Sequence, residues 1–128
     1  MRFLPALVSV PFLALAAQAA HAVPLDGTWT GSGFVTPSSG QRERVSCRVS
    51  YSRQGPSVYA FSATCATASA KFNQSGQLTM VNESRYIGDF FNPEYNLSGR
   101  ARVVVSGSRQ TVTLSSQSGS GQLNLSKR

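Results

Sequence analysis

The chain has 128 residues, of which 41% are hydrophobic and only 13% charged, with a formal net charge of +7. A single histidine and two cysteines leave little material for imidazole, thiolate or metal chemistry, and the length admits one domain with a modest core. The positive balance favours encounter with anionic partners, but only Arg42, Arg44 and Arg48 cluster, with Arg100 and Arg102 a second pair. Without a basic stripe interleaved with aromatics, specific nucleic-acid binding is not expected.

Residues 1–22 read as a secretory signal peptide. Met1-Arg2 is a short positive start, Phe3 to Ala17 an apolar run interrupted by Pro5 and Pro11, and Ala20-His21-Ala22 a small-x-small cleavage site. That run is too short to span a bilayer, no later one is long enough, and no cysteine near the cleavage site offers a lipid anchor. The expectation is a soluble protein, periplasmic or secreted, with a leader of bacterial character and one domain over residues 23–128. Cleavage at Ala22 removes Arg2 and the only histidine, leaving eleven basic against five acidic residues, a net charge of +6. Ala17-Gln18-Ala19 is a second possible site, which would leave His21 on a terminus without a partner.

From residue 28 onward, apolar residues recur with period two and nowhere with helical spacing over three turns. Thr28 to Val35 is the first predicted strand. Val45, Cys47, Val49 and Tyr51 face one way on the next, with Arg44, Ser46, Arg48 and Ser50 opposite. After a turn at Arg53 to Ser57, Tyr59, Phe61, Ala63 and Cys65 continue the inward set. The Ala-rich stretch from Ala60 to Ala70 alternates with Thr, Ser and Cys and is read as strand. Further strands are expected at Ala68 to Gln74, at Gln77 to Val81 after a Ser75-Gly76 turn, at Arg85 to Asn92, and at Tyr95 to Val105. Val112 with Leu114, and Leu123 with Leu125 beyond a turn at Ser118 to Gly121, mark the last two. These are nine short segments, with the pieces around Ala66 a candidate for one bent strand. The fold expected is all-β, an antiparallel up-and-down barrel of about eight strands, with a β-sandwich as the alternative.

An even cysteine pair in an exported chain predicts a disulfide between Cys47 and Cys65, worth roughly 3 kcal/mol for a ring this short. Directly opposed pairing would also set Val49 against Ala63 and Tyr51 against Phe61; a modest offset or a bridge across the barrel stays open. Small residues of the inward set (Ala63, Ala68, Ala70, Gly88, Gly99 and Ala101) accommodate barrel taper or leave room for a ligand, and taper is the preferred reading.

No catalytic residue is assigned. A serine triad lacks its histidine, Gly-x-Ser-x-Gly does not occur, and no metal-ligand set or cofactor motif is present. Asp89 and Glu94, either side of a proline turn, are the only carboxylate pair placed for glycoside chemistry, and surface solvation explains them more simply. Around that turn Phe91, Pro93 and Tyr95 form a candidate partner surface, against the alternative of ordinary cross-strand packing.

Asp26-Gly27-Thr28-Trp29, heading an antiparallel meander, resembles the Gly-x-Trp start of the calycin barrels. The resemblance implies that Trp29 plugs one barrel end beneath a basic residue of the last strand; Lys127 or Arg128 stands there, and Trp29 with Arg128 is the pair assigned. Size, export and the cysteine pair are similar to the bacterial periplasmic metalloprotease-inhibitor family, but Val23 to Asp26 is too short for that family's N-terminal trunk. The motif residues of lysozyme-inhibiting periplasmic barrels are missing. The function expected is a non-enzymatic binding protein for an envelope or extracellular macromolecule, an anionic one among the candidates, with hydrolase inhibition as one form. The alternatives are a carrier of a small apolar ligand inside the barrel, or a basic envelope-associated protein holding anionic polymers.

Overall fold

The computed structural model describes residues 24–128; the proposed leader, its cleavage sites and His21 lie outside the described residues. Eight antiparallel strands follow one another: β1 (Gly27–Pro37), β2 (Glu43–Arg53), β3 (Val58–Ala66), β4 (Lys71–Asn82), β5 (Arg85–Asn92), β6 (Leu97–Ser106), β7 (Arg109–Ser116) and β8 (Gly119–Lys127). Each pairs with the next and β8 returns to β1, so the sheet is a closed barrel and not a sandwich. Closure satisfies the backbone donors and acceptors that two free edges would leave exposed. No helix occurs among the described residues.

Period-two alternation is cleanest on β2, β5, β6 and β8, and on β4 it runs to Met80, where a bulge shifts the register. The β2 row Val45, Cys47, Val49 and Tyr51 is buried while Arg44, Ser46, Arg48 and Ser50 face out. An outer wall with rows of arginine and serine differs from the apolar band that a lipid-facing barrel presents. Cys47 and Cys65 are directly opposed and bonded, and the same register sets Val49 against Ala63 and Tyr51 against Phe61 without offset.

Four local expectations are corrected. Ser75-Gly76 is not a turn but the middle of β4, so the nine expected segments become eight strands. A Cβ at Gly76 would run into the carbonyl of Asp89 and the Phe61 ring, and one at Gly88 into the carbonyl of Gln77. Glycine there lets the wall bend sharply enough to close, so Gly88 serves curvature and not taper. Secondly, Tyr95 lies in the β5–β6 turn, which ends on Asn96 with φ of 48°, and β6 begins at Leu97. Thirdly, the β7–β8 turn is only Gln117-Ser118; Gly119 to Gly121 already pair in β8. Fourthly, Ala68 belongs to the β3–β4 turn and is exposed.

Candidate functional site

The barrel has two unlike ends. At the first, where β1 begins and β8 finishes, residues 24–26 fold across the opening. Leu25 and Trp29 are fully buried, and the indole Nε1 donates to the Leu25 carbonyl at 2.9 Å. Lys127 Nζ donates to the carbonyls of Pro24 (2.6 Å) and Asp26 (2.8 Å) and lies 5.7 Å from the centroid of the Trp29 ring. Lys127, not Arg128, is therefore the basic partner of Trp29. Alternation from Leu123 and Leu125 brings residue 127 to the inward side, whereas Arg128 is exposed and reaches the Thr28 carbonyl only through its backbone N–H.

A layer of tyrosines fills the space beneath. Tyr59 and Tyr86 meet edge to face with centroids 5.4 Å apart. Tyr51 donates its hydroxyl to Gln110 Oε1 at 2.5 Å, across the barrel from β2 to β7. Burial pushes the Tyr51 hydroxyl well above the ordinary tyrosine range. Tyr86 is also raised, first by burial and then by neighbouring Tyr59. The amide Nε2 of Gln110 is buried without a partner among the described residues.

The opposite end is open. The chain crosses it only by the four turns β1–β2, β3–β4, β5–β6 and β7–β8, and between them lies a cavity of about 380 Å³. Its apolar wall includes Val35, Phe72, Phe90, Leu97 and Leu114, and its polar groups include Glu43, Gln74, Asn92 and Ser116. Directly below is a narrower void of about 40 Å³ sharing Val35, Phe72, Gln74 and Leu114 with the mouth, and lined by Ala63, Ala101, Leu78 and the Cys47–Cys65 bridge. The small inward Ala63 and Ala101 thus border space, where taper had been the preferred reading.

Three polar residues at the mouth make hydrogen bonds within the barrel, and of these Glu43 keeps its second oxygen, Oε2, without a partner among the described residues. Ser116 Oγ donates to the Gly119 carbonyl at 3.2 Å and accepts from the Ser118 N–H at 3.1 Å in the β7–β8 turn. Asn92 Oδ1 accepts from the Tyr95 backbone N–H at 3.3 Å and holds the β5–β6 turn, and Glu43 Oε1 accepts from Ser69 Oγ at 2.8 Å across the β3–β4 turn. Gln74, half-buried between the two voids, pairs through its backbone with Ala63, and its side chain makes no hydrogen bond among the described residues.

The expected partner surface is divided. Phe91 is on the outer wall of β5 opposite Ser75 and Ser98, whereas Tyr95, 60% exposed, lines the mouth of the cavity; Pro93 is exposed in the same turn. Asp89 faces outward in an exposed 3.4 Å ion pair with Arg100, and Glu94 is exposed in the turn; neither lines the cavity. Among the described residues no group of three or more potential metal ligands occurs. The basic cluster contributes a shallow groove on the outer wall, where Arg42 stacks 3.8 Å from the Phe34 centroid beside Arg44.

The sequence reading holds a cavity only as the alternative to taper and does not place it at one end, although a signal for its position exists. Read in barrel register, the inward row of β2 reaches Glu43 at the same end where the rows of β4, β5 and β7 reach Gln74, Asn92 and Ser116. At the other end the β2 and β5 rows finish in Tyr51 and Tyr86 and the β4 row in Leu78 and Met80, while the single polar residue, Gln110 on β7, is taken up by the Tyr51 hydroxyl. Polar residues at inward positions, gathered at one rim, mark an opening.

No protein family and no curated protein matches the sequence. Solved structures do match in fold. The redesigned β-barrel mFAP1, bound to DFHBI, superposes with a TM-score of 0.67 at 14% identity, covering 81% of this chain and 94% of that one. A de novo designed fluorescence-activating β-barrel gives 0.63 at 15% identity, covering 86% of this chain and 97% of that one. At such identity the likeness concerns the eight-stranded barrel alone. Neither the calycin comparison nor the metalloprotease-inhibitor comparison gains support from these matches.

Proposed function

We propose that this protein is an exported, non-enzymatic carrier that holds a small, mainly apolar molecule in the open end of its barrel. The observation that carries the reading is the asymmetry of the interior: one end is sealed by Trp29, Leu25 and Lys127, and the other opens on a cavity of about 380 Å³ with apolar walls and a few polar groups at its rim. A concave apolar site with sparse, placed polar groups is the usual form of a small-molecule site. A barrel filled only for stability would close both ends with large side chains. That the mFAP1 barrel is described bound to the small molecule DFHBI supports the reading by analogy of architecture.

The uncharged fluorophore N-phenyl-1-naphthylamine provides the test, since its emission rises on entering an apolar site. Saturable binding to the native protein is expected. Leu97→Trp, at the rim, should weaken it by about tenfold or more while leaving the unfolding transition nearly unchanged, because the added ring fills open space and does not displace packed neighbours. Protein recovered from its own compartment should carry an added mass in native mass spectrometry. Absence of probe binding together with a consistently bare mass would overturn the reading.

A further inference from the structure

The cavity mouth carries a charge pattern opposite to that of the surface around it. Every lysine and arginine except Arg2 falls among the described residues, and none lines the cavity, because alternation sends residues such as Arg44, Arg48, Arg100 and Arg102 to the outer wall. The lining holds one carboxylate, Glu43, on the inward side at the start of β2. Glu43 is half-buried and hydrogen-bonded through Oε1 to Ser69, and it makes no ion pair among the described residues. A protein of strongly positive net charge therefore keeps its binding cavity free of cations and places a carboxylate at the rim.

We infer that the cavity selects an apolar molecule bearing a cationic amine, and rejects the carboxylate-headed molecule of the same size. This rests on the carrier reading and specifies its ligand. The apolar body lies between Phe72, Leu97 and Leu114, with its tail toward the narrower void below Gln74. The ammonium lies at the rim, where Glu43 supplies the opposite charge. A carboxylate head in that position meets the Glu43 charge with no lining arginine or lysine to offset it, in surroundings less polarisable than water. An uncharged hydroxyl head is intermediate, since the side chain of Gln74 offers hydrogen bonds without charge. The positive outer wall acts on anions at longer range, and salt screens that attraction more than it screens a half-buried contact.

Displacement of N-phenyl-1-naphthylamine by n-octylamine, n-octanol and n-octanoate, at neutral pH and physiological salt, separates the possibilities. The expected order is amine tightest, alcohol next and carboxylate weakest, with about tenfold between amine and alcohol. Glu43→Gln, which keeps the shape and the hydrogen bond to Ser69, should bring octylamine to the level of octanol while octanol itself stays unchanged. Octanoate binding as well as octanol, an amine preference that survives Glu43→Gln, or a bound fluorophore that none of the three displaces would each overturn the inference and leave the carrier reading standing. Failure of the fluorophore itself to bind would remove both.

Discussion

The two ends of the barrel are made by the same eight strands and differ in nearly every side chain that turns inward. One end has an indole, three tyrosines and a lysine clamped to two carbonyls; the other has leucine, phenylalanine and scattered amides around open space. The backbone needs both ends equally for closure, since each strand contributes to both. Stability and binding are thereby separated along the barrel axis: the closed end supplies packing density, and the open end gives some of it up for a cavity. A domain this small tolerates such a concession because the disulfide ties β2 to β3 between the two ends.

The comparison breaks first at Trp29. Trp29→Ala should cost about 3–5 kcal/mol in urea unfolding, the range for deleting a buried aromatic ring, because it also unseats Leu25 and leaves Lys127 without its ring. A loss below about 1 kcal/mol would mean that the sealed end does not anchor the fold.

A matched pair of leucines sharpens it. Leu125→Ala, near the closed end and 1% exposed, should cost about 2–5 kcal/mol, and Leu114→Ala, half-buried at the cavity, distinctly less. The second variant enlarges a space already present, whereas the first opens a new one in dense packing. Equal losses in the two unfolding curves would show that the open end is as tightly packed as the sealed one.

The smallest expected effects come from the polar contact inside the sealed half. Tyr51→Phe alone leaves both polar atoms of buried Gln110 without a partner and should cost about 1–3 kcal/mol, while Tyr51→Phe with Gln110→Leu should be nearly neutral. The same tyrosine gives a pH dependence. Its folded pKa is raised above the ordinary value of 10.0, so the unfolded chain releases its proton first as pH rises. Stability should hold below about pH 10 and fall above it. The double variant should show a shallower alkaline decline, with Tyr86, also raised, retaining its share. Identical alkaline profiles would remove Tyr51 from the account.

Much of this architecture is legible in period-two alternation. The Cys47–Cys65 pairing and its flanking register are readable from residue order, whereas the basic residue over Trp29 is what the calycin resemblance implies. Glycine was misleading. Gly76 next to a serine has the composition of a turn, yet it is a corner of β4, and only the neighbouring Asp89 carbonyl and Phe61 ring explain why no side chain fits. Composition cannot distinguish a glycine that turns the chain from one that lets another strand approach. Arg128 in place of Lys127 is a different kind of error, a choice between adjacent residues that the inward phase of Leu123 and Leu125 could have decided.

An all-β chain, its disulfide, the inward rows and an inventory poor in histidine, thiol and metal ligands are all present in residue order. Those properties depend on local alternation and on residue identity, which a linear reading carries in full. The cavity was decided only by tertiary structure. Glu43, Gln74, Asn92 and Ser116 are far apart in the chain and each is ordinary on its own strand; closure of β8 onto β1 sets them on one rim, and the space they enclose belongs to all eight strands together.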